Sequence, residues 1–335
     1  MQPTMLPIAR KVINDMKRIA VLTSGGDCSG MNATLRAVVR AGLASGLDVI
    51  GIQKGFQGLI DRLYEPMTTR SVSNILQRGG TFLQSARCKE MRTESGLRLA
   101  SENLKGMGVE GLIVIGGDGS LQGGYAIHQQ GVPVIGIPGS IDNDISFTDV
   151  SLGVDTALNN IVRAVDNLKD TASSHDRAFV VEVMGRNCGY LTVVATIASG
   201  AEYSLIPEEP YDLDDICNDL RKRYQEGRTN SIIMVAEGAG KAEDIANQIK
   251  DRIGFETRII VLGHYQRGGS PTVYDRLLGA RFGQAAVENL LNGNGGMMVG
   301  LQGSKIVLTE LKTVIAAGIR PINPMFPRLA NQLLA

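Results

Sequence analysis

The chain of 335 residues carries 34 Lys and Arg residues and 34 Asp and Glu residues, which leaves a formal net charge of zero. Without a block of like charge, this balance gives no reason to expect nucleic acid or a membrane surface as a partner. The length exceeds that at which one hydrophobic core usually stops growing, so we expect two domains.

The four cysteines form no CxxC pair and have no histidine at metal-ligand spacing. This usage indicates reduced thiols in a cytoplasmic protein rather than a disulfide framework or a zinc site. Residues 1–17 lack the apolar core of a secretory signal and are treated as an N-terminal extension, whose native start is Met1, Met5 or Met16. No segment reaches the length needed to span a bilayer.

From residue 18 onward one pattern recurs, in which a short apolar run is followed by a glycine-rich turn and a helix-compatible segment. Its four copies cover residues 18–40, 112–129, 178–199 and 231–250, and further apolar runs at 47–52 and 132–137 predict two more strands. The alternation predicts an α/β fold with doubly wound, mainly parallel sheets. Ligands of such sheets lie outside the carboxyl ends of the strands, so the polar clusters that follow the strands should meet in a cleft.

Two glycine turns follow apolar strands, GGD at 25–27 and GGDGS at 116–120. Glycine lets the backbone approach a ligand closely, and the N-terminus of the next helix directs free N–H groups at an anion. Either turn alone is equally well explained as a simple chain reversal. A carboxylate beside a phosphate is repulsive unless a cation bridges them, so Asp118 is a candidate Mg²⁺ ligand. The Walker A and GxGxxG patterns are missing, which disfavours P-loop and Rossmann proteins.

The segment PGSIDND at 138–144 directly follows the apolar run VPVIGI. If it is extended, Asp142 and Asp144 point to the same side, which suits one general base and one carboxylate associated with a metal. The same residue types also form ordinary turns. We favour function because two acids lie at a strand end that should face the glycine turns.

Basic side chains at other strand ends complete the charge pattern: Arg87, Arg177, Arg186, Arg258, His264 and Arg267. The planar fork of arginine suits phosphate oxygens. A lone arginine is usually a solvated surface residue, but the run HYQRGGS at 264–270 combines His and Arg with a glycine turn after an apolar strand.

Together these segments resemble the phosphofructokinase family. The shared motifs are GGD at 25–27, GGTF and SAR at 79–87, GGDGS at 116–120, PGSIDND at 138–144, SSHDR at 173–177, VVEVMGR at 180–186, ETR at 256–258 and LGHYQRGGSP at 262–271. They follow the family's order and spacing over nearly all of the chain after residue 17. The resemblance implies the phosphofructokinase fold, with an active site in the cleft between two domains. Residues 18–152 plus about 266–316 would bind ATP, and residues 153–265 plus about 317–335 would bind the sugar phosphate.

The resemblance also implies transfer of the γ-phosphoryl group of ATP to the 1-hydroxyl of fructose 6-phosphate, a step of glycolysis. Asp142 would be the base, Ser140 and Arg186 would assist it, and Asp118 with Asp144 would hold Mg²⁺. The ATP site would comprise Gly26, Arg87, Cys88, Gly117, Asp118, Gly119 and Ser120. The sugar phosphate would contact Ser140, Ile141, Asp142, Arg177, Met184, Gly185, Arg186, Glu237, Arg258, His264, Tyr265, Gln266 and Arg267.

In relatives the counterparts of Arg177 and Arg258 reach across from a neighbouring subunit, which implies a homotetramer with shared active sites. Gly119 and Gly139 favour ATP, because relatives that use pyrophosphate usually carry Asp and Lys there. Cys88 stands where relatives often have an aromatic residue beside the nucleotide, so we expect a weaker adenine contact and wider donor tolerance.

Arg36 and Arg40, one helical turn apart, resemble effector-binding arginines of the family. Lys169, Gly200, Glu202 and Arg228 stand in corresponding places, although Glu226 reverses a charge that bacterial relatives keep positive. Allosteric control is therefore a hypothesis, and a solvated helix face is its alternative. Two other functions stay open: a GGDG-type kinase for NAD or a lipid, which would not need the HYQRGGSP cluster, and a catalytically silent nucleotide sensor.

Overall fold

The computed structural model describes residues 16–175, 177–228, 230–250, 252–253 and 256–333. Most of the N-terminal extension, with Met1 and Met5, lies outside the described residues, as does Asp176 of the SSHDR motif. Met16 is described, and its side chain packs against the core of the larger sheet.

Strands and helices alternate along the described residues, as the sequence predicts. The strands are β1 (Arg18–Ser24), β2 (Asp48–Ile52), β3 (Tyr64–Pro66), β4 (Gly111–Gly116), β5 (Val134–Pro138), β6 (Arg177–Val183), β7 (Tyr203–Leu205), β8 (Ser231–Ala236), β9 (Glu256–Val261), β10 (Met297–Gln302) and β11 (Lys305–Glu310). The α-helices are α1 (Met31–Ala44), α2 (Gly55–Ile60), α3 (Glu94–Gly106), α4 (Asp118–Gln129), α5 (Val154–His175), α6 (Tyr190–Ser199), α7 (Leu213–Gln225), α8 (Ala242–Ile249), α9 (Val273–Leu291), α10 (Leu311–Ala317) and α11 (Met325–Leu333). Glu90–Arg92 and Gly263–Arg267 form 3₁₀ helices.

The larger sheet has the strand order β11-β10-β5-β4-β1-β2-β3. Its inner strands pair in parallel, whereas the edge strands β3 and β11 are antiparallel to their neighbours. Alternate side chains of β1 enter two separate apolar clusters: Ile19 packs with residues of α1 and α9, and Leu22 with residues of α3 and α4. Helices therefore cover both faces, which explains why these strands are apolar throughout instead of alternating with polar residues.

The smaller sheet has the order β7-β8-β6-β9, and all its pairs are parallel. Val180 of β6 packs in a cluster with α7 and α8, while Val181 packs in the cluster that includes α5 and α6. The edge strand β9 is largely exposed, with Ile259 and Val261 accessible to solvent. The fold is thus α/β with two doubly wound, mainly parallel sheets, as expected.

Two local expectations are corrected. Asp118 does not lie in a turn, because α4 already begins at this residue and Gly117 is its N-cap. The segment 138–144 is not extended beyond the strand, because residues 141–142 form a turn and Asn143 adopts a left-handed conformation with a φ of 54°. In the described part of the chain, no helix is long and apolar enough to cross a membrane.

Candidate active site

The two glycine turns lie side by side at the carboxyl end of the larger sheet. Ser24 at the end of β1 is the register partner of Gly116 at the end of β4, so both turns leave the sheet at the same level. A Cβ at Gly116 would lie 2.4 Å from the Ser24 carbonyl oxygen and 2.6 Å from Ser120 Oγ. Glycine at 116 is therefore required for the turns to approach each other this closely.

The second turn presents the N-terminus of a helix. Gly117 caps α4, and the side chain of Gln122, one turn further on, donates a hydrogen bond of 2.7 Å to Asp118 Oδ2. Burial, followed by the negative charge of Asp144, raises the pKa of Asp118. Gly119 is open, since no atom lies within 4 Å of a Cβ built there. The free N–H groups of this first helical turn can bind a phosphate, which needs open space beside them.

Asp142 follows the end of β5 and is 3% exposed. Among the described residues, its Oδ1 has no hydrogen-bond partner, and its Oδ2 lies 3.6 Å from Arg186 Nε. Burial, then the negative charge of Asp144, raises the pKa of Asp142 to about 6, although Arg186 and Arg267 oppose this shift. A buried carboxylate with an unused oxygen and a pKa near neutrality is suited to accept a proton.

Ser140 and Asp144 form the other side of this turn. Ser140 Oγ donates a hydrogen bond of 2.9 Å to Asp144 Oδ1, and Asp144 is less buried than Asp142. Ile141 is 1% exposed, so only its backbone can face a ligand. The two neighbouring carboxylates thus have different surroundings, which separates a proton acceptor from a candidate cation ligand.

Arg186 belongs to the turn after β6 in the smaller sheet. Its φ of 53° is left-handed, and Glu237 Oε1 accepts hydrogen bonds from the backbone N–H groups of Arg186 at 2.7 Å and of Gly185 at 3.2 Å. A Cβ at Gly238 would lie 2.0 Å from the Arg186 carbonyl oxygen, so the loop after β8 packs directly on this turn. Gln266 Oε1 accepts the Met184 N–H at 3.2 Å. The turn at Arg186, whose left-handed conformation is strained, is therefore held by Glu237 on one side and by Gln266 on the other.

A cavity of about 250 Å³ joins the turns of the two sheets. It is lined by Asp118, Gly119, Gln122, Asp144, Ile145, Ser146, Arg186, Asn187, Cys188, Val314, Ile315, Gly318 and Ile319. Asp118 and Asp144 of the larger sheet thus face Arg186 of the smaller one, as expected for a cleft. The contribution of residues 314–319 is not expected from the sequence, because this segment carries no polar motif.

The 3₁₀ helix at 263–267 lies over the first glycine turn. Arg267 Nη1 donates a hydrogen bond of 3.1 Å to the Asp27 carbonyl oxygen, and a Cβ at Gly26 would lie 2.2 Å from the same nitrogen. Gln266 is buried, whereas His264 and Tyr265 are exposed. Arg87 is exposed near the turn, and Cys88 lies with its Sγ 3.5 Å from Glu90 Oε2, with its pKa raised by burial.

Arg177 and Arg258 are not part of this cavity. Arg177 is the first residue of β6, so it lies roughly 20 Å along the strand from the turn that carries Arg186. Glu256 binds both arginines, at 2.7 Å from Arg177 Nε and 2.5 Å from Arg258 Nη2. The interpretation that these arginines stand at carboxyl ends of strands is therefore wrong, and within one chain they cannot reach a ligand beside Asp142.

A second cavity, of about 170 Å³, lies beside α6 and α11. It is lined by Thr196, Ile197, Gly200, Ala201, Glu202, Arg223, Arg228, Ala330 and Leu333. Lys169 Nζ donates to the carbonyl oxygens of Ser199 and Gly200 at its border. Of the candidate effector residues, Gly200, Glu202 and Arg228 thus come together, while Arg36 and Arg40 on α1 do not line it.

The described residues contain no cluster of three or more His, Cys, Asp or Glu side chains able to hold a metal ion. Asp118 and Asp144 are close enough for the charge of Asp144 to raise the pKa of Asp118, and both line the cavity. Mg²⁺ prefers oxygen ligands and typically keeps water and substrate phosphates beside one or two carboxylates. The donor set fits an ion that is shared with a nucleotide.

Glycine turns and a helix N-terminus that face carboxylates and an arginine across two mainly parallel sheets define an α/β phosphotransferase. The family model described as Phosphofructokinase matches residues 18–290 of the chain. The chain belongs to the phosphofructokinase family.

Curated relatives match along almost their whole length. The ATP-dependent 6-phosphofructokinase of Natranaerobius thermophilus is 51% identical over 301 residues, covering 90% of this chain and 94% of that protein. The protein of the same name from Thermotoga neapolitana is 52% identical over 302 residues, covering 90% and 95%.

Solved structures share the fold. Phosphofructokinase from Saccharomyces cerevisiae has a TM-score of 0.86 at 34% identity, and the match covers 95% of this chain but 50% of the yeast chain, so this chain spans about half its length. A pyrophosphate-dependent phosphofructokinase from Marinobacter aquaeolei has a TM-score of 0.83 at 20% identity, covering 96% and 92%, which shows likeness of fold alone.

Proposed function

We propose that this protein transfers the γ-phosphoryl group of ATP to the 1-hydroxyl of D-fructose 6-phosphate, giving fructose 1,6-bisphosphate and ADP, a step of glycolysis. The observation that carries this proposal is Asp142, a buried carboxylate with an unused oxygen beside Arg186, at the meeting point of the glycine turns and the smaller sheet. The curated relatives named above carry the name of this activity.

Asp142 acts as the general base. Its carboxylate accepts the proton of the sugar 1-hydroxyl while the hydroxyl oxygen forms a bond to the γ-phosphorus. The bond from this phosphorus to the β,γ-bridging oxygen breaks, and ADP leaves. With a pKa of about 6, Asp142 is mostly ionised at neutral pH, yet it is a stronger base than an ordinary Asp. Arg186 stabilises the charge on the transferring group, and Ser140 keeps Asp144 in place.

The larger sheet binds the nucleotide. The free N–H groups at the start of α4 and the open space at Gly119 receive the phosphates, with Gly26, Gly117 and Ser120 allowing the close approach and Arg87 and Cys88 bordering the nucleotide. Asp118 and Asp144 would hold Mg²⁺, which when bound neutralises phosphate charge. We assign residues 18–152 plus about 266–316 to this ATP-binding domain.

The smaller sheet binds the sugar phosphate, and we assign it residues 153–265 plus about 317–335. Met184, Gly185 and Glu237 lie beside the sugar ring, while His264 and Arg267 lie toward its 6-phosphate. Because Arg177 and Arg258 lie too far away in the same chain, we infer that they complete this pocket in a neighbouring subunit. The enzyme then works as an oligomer, for which we propose a homotetramer.

The second cavity is the candidate for allosteric control. Gly200, Glu202 and Arg228 line it, and Lys169 lies at its border. Arg36 and Arg40 would have to reach it from another subunit. We propose that it takes an anionic effector, and we retain the expectation of a cytoplasmic location.

One assay tests the main proposal. Purified protein is incubated with ATP, Mg²⁺ and fructose 6-phosphate, and fructose 1,6-bisphosphate is measured, with pyrophosphate replacing ATP in a parallel reaction. Product from ATP is expected, with far less from pyrophosphate. Absence of product from both donors would refute the proposed reaction, and preference for pyrophosphate would refute the choice of donor.

A further inference from the structure

The segment between α10 and α11 runs along the turn that carries Asp142 and Asp144. Ile145 and Ile319 form an antiparallel bridge, and Ser146 Oγ donates a hydrogen bond of 3.1 Å to the Gly318 carbonyl oxygen. The backbone N–H of Arg320 donates to the Asp144 carbonyl oxygen at 2.8 Å. A segment more than 170 residues away in sequence is thus bonded directly to the backbone of Asp144, whose carboxylate belongs to the candidate site.

The side chain of Arg320 binds Asp149, at the other end of the loop that begins at Asp144. Its Nη1 donates a hydrogen bond of 2.5 Å to the Asp149 carbonyl oxygen, and its Nη2 lies 3.9 Å from Asp149 Oδ1. The same carbonyl oxygen accepts Asn143 Nδ2 at 3.1 Å, and Asn143 Oδ1 accepts the Ser151 N–H at 3.0 Å. Arg320 therefore binds the loop 144–149 at both ends, with its backbone N–H at Asp144 and its guanidinium at Asp149. Asn143 adds hydrogen bonds across the same loop.

The same segment is anchored to the smaller sheet. Phe326 of α11 packs edge-on against Tyr190, with ring centroids 5.8 Å apart. Tyr190 is the first residue of α6, the helix that follows the Arg186 turn. The segment from Arg320 to Phe326 therefore joins the carboxylate turn of one sheet to the helix that follows the arginine turn of the other.

We propose that Arg320 is a positioning residue for phosphoryl transfer, which fixes the carboxylates of Asp142 and Asp144 relative to Arg186. The proposal rests on the proposed function, in which these three side chains act together. Arg320 is not among the residues that line the cavity, and its guanidinium is engaged with Asp149. Its effect should therefore fall on kcat and leave substrate binding largely unchanged, since small errors of placement are costly in the transition state.

The test compares Arg320→Ala and Arg320→Lys with Arg328→Ala. Arg328 is an exposed arginine of α11 for which no side-chain bond is found among the described residues, so its variant removes the same charge from a nearby part of the chain. We expect Arg320→Ala to lower kcat by about 10- to 100-fold with Michaelis constants changed less than about threefold. Arg320→Lys should be intermediate, since lysine cannot span both Asp149 groups. Arg328→Ala should match the wild type.

Amide hydrogen exchange tests directly whether Arg320→Ala loosens the turn that carries Asp142 and Asp144. In Arg320→Ala, the amide hydrogen exchange of residues 142–152 should accelerate. Ser146→Ala removes only the hydrogen bond to the Gly318 carbonyl oxygen, so it should accelerate exchange less.

The results of these experiments separate failure of the Arg320 proposal from failure of the proposed function. Unchanged kcat in correctly folded Arg320→Ala would overturn the proposal, even if hydrogen exchange accelerates, because Arg320 would then be purely structural. Unchanged hydrogen exchange would also overturn it. A wild-type protein that forms no fructose 1,6-bisphosphate would instead refute the proposed function, and hydrogen exchange would still decide whether Arg320 fixes the turn.

Discussion

Arg186 reaches from the smaller sheet to within 3.6 Å of Asp142 in the larger sheet, and its side chain is 70% exposed while that of Asp142 is 4% exposed. An exposed cation thus meets a buried anion across the cleft. Because the carboxylate is buried, its protonation depends strongly on this neighbour. In the proposed mechanism the pair supplies a base and a charge-stabilising group from separate sheets, so the relative position of the sheets should control activity.

Asp142→Asn removes the proton acceptor with little change of shape. We expect kcat to fall by roughly 10²–10⁴, the usual contribution of general-base catalysis, with Michaelis constants nearly unchanged. Steady-state kinetics with both substrates measures this. Asp48→Asn, at the exposed amino end of β2, is the control and should behave as wild type. Comparable turnover of both variants would remove Asp142 from the mechanism.

The pH profile should report the pKa of Asp142. As the pH falls through about 6, Asp142 of the free enzyme becomes protonated and kcat/KM should decrease. Arg186 lowers this pKa, so Arg186→Gln should move the acid limb to higher pH, apart from any loss of rate. Glu237 raises it, so Glu237→Gln should move the limb to lower pH. Shifts of the opposite sign would contradict this electrostatic description.

The ionised carboxylate of Asp142 should lower the free energy of unfolding at neutral pH. Its pKa is higher in the folded than in the unfolded chain, so the folded state binds more protons between about pH 4 and 6, and its stability declines as the pH rises through this window. Asp142→Asn removes this cost and should raise the free energy of unfolding at pH 7.5 by about 1–3 kcal/mol. The gain should shrink near pH 4. Urea unfolding at both pH values measures it, and an equal gain at both would point to another cause.

Gly119 provides a test of donor choice. A Cβ there meets no atom within 4 Å, so Gly119→Asp and Gly119→Asn should both fold normally. Only the aspartate places a negative charge beside the nucleotide phosphates, and we expect it to raise the Michaelis constant for ATP by about 10-fold or more over the isosteric asparagine. Equal effects of the two substitutions would show that size, and not charge, matters at this position.

The proposed sharing of active sites between subunits predicts complementation between inactive chains. Asp142→Asn and Arg258→Ala should each have low activity with fructose 6-phosphate. Chains of both kinds, unfolded and reassembled together in equal amounts, should regain activity in about a quarter of their sites, where an intact Asp142 meets an intact Arg258 from the neighbour. Separately refolded variants, mixed afterwards, are the control. No recovery in the co-assembled sample would argue that both residues serve a site within one chain.

The sequence predicts much of the fold, because strands buried on both faces appear as uninterrupted apolar runs ended by glycine turns. It also predicts where the main polar side chains of the site lie, because parallel strands bring their carboxyl ends to one edge of a sheet. These side chains are Asp118, Asp142, Asp144 and Arg186. It fails for Arg320, whose neighbours in sequence carry no motif and whose contacts are distant along the chain. It also fails for Gln122, although the spacing of four residues from Asp118 on a helix is a signal that points to it.

The exposure of the edge strand β9 affects how the chain behaves before assembly of the fold is complete. In the described part of the chain it pairs only with β6, and Ile259 and Val261 are 40% and 60% exposed. An exposed edge with apolar side chains is a template for unwanted strand pairing. While β9 stays uncovered, a newly made chain is therefore vulnerable to aggregation. Its recovery from a host cell should improve when synthesis is slow.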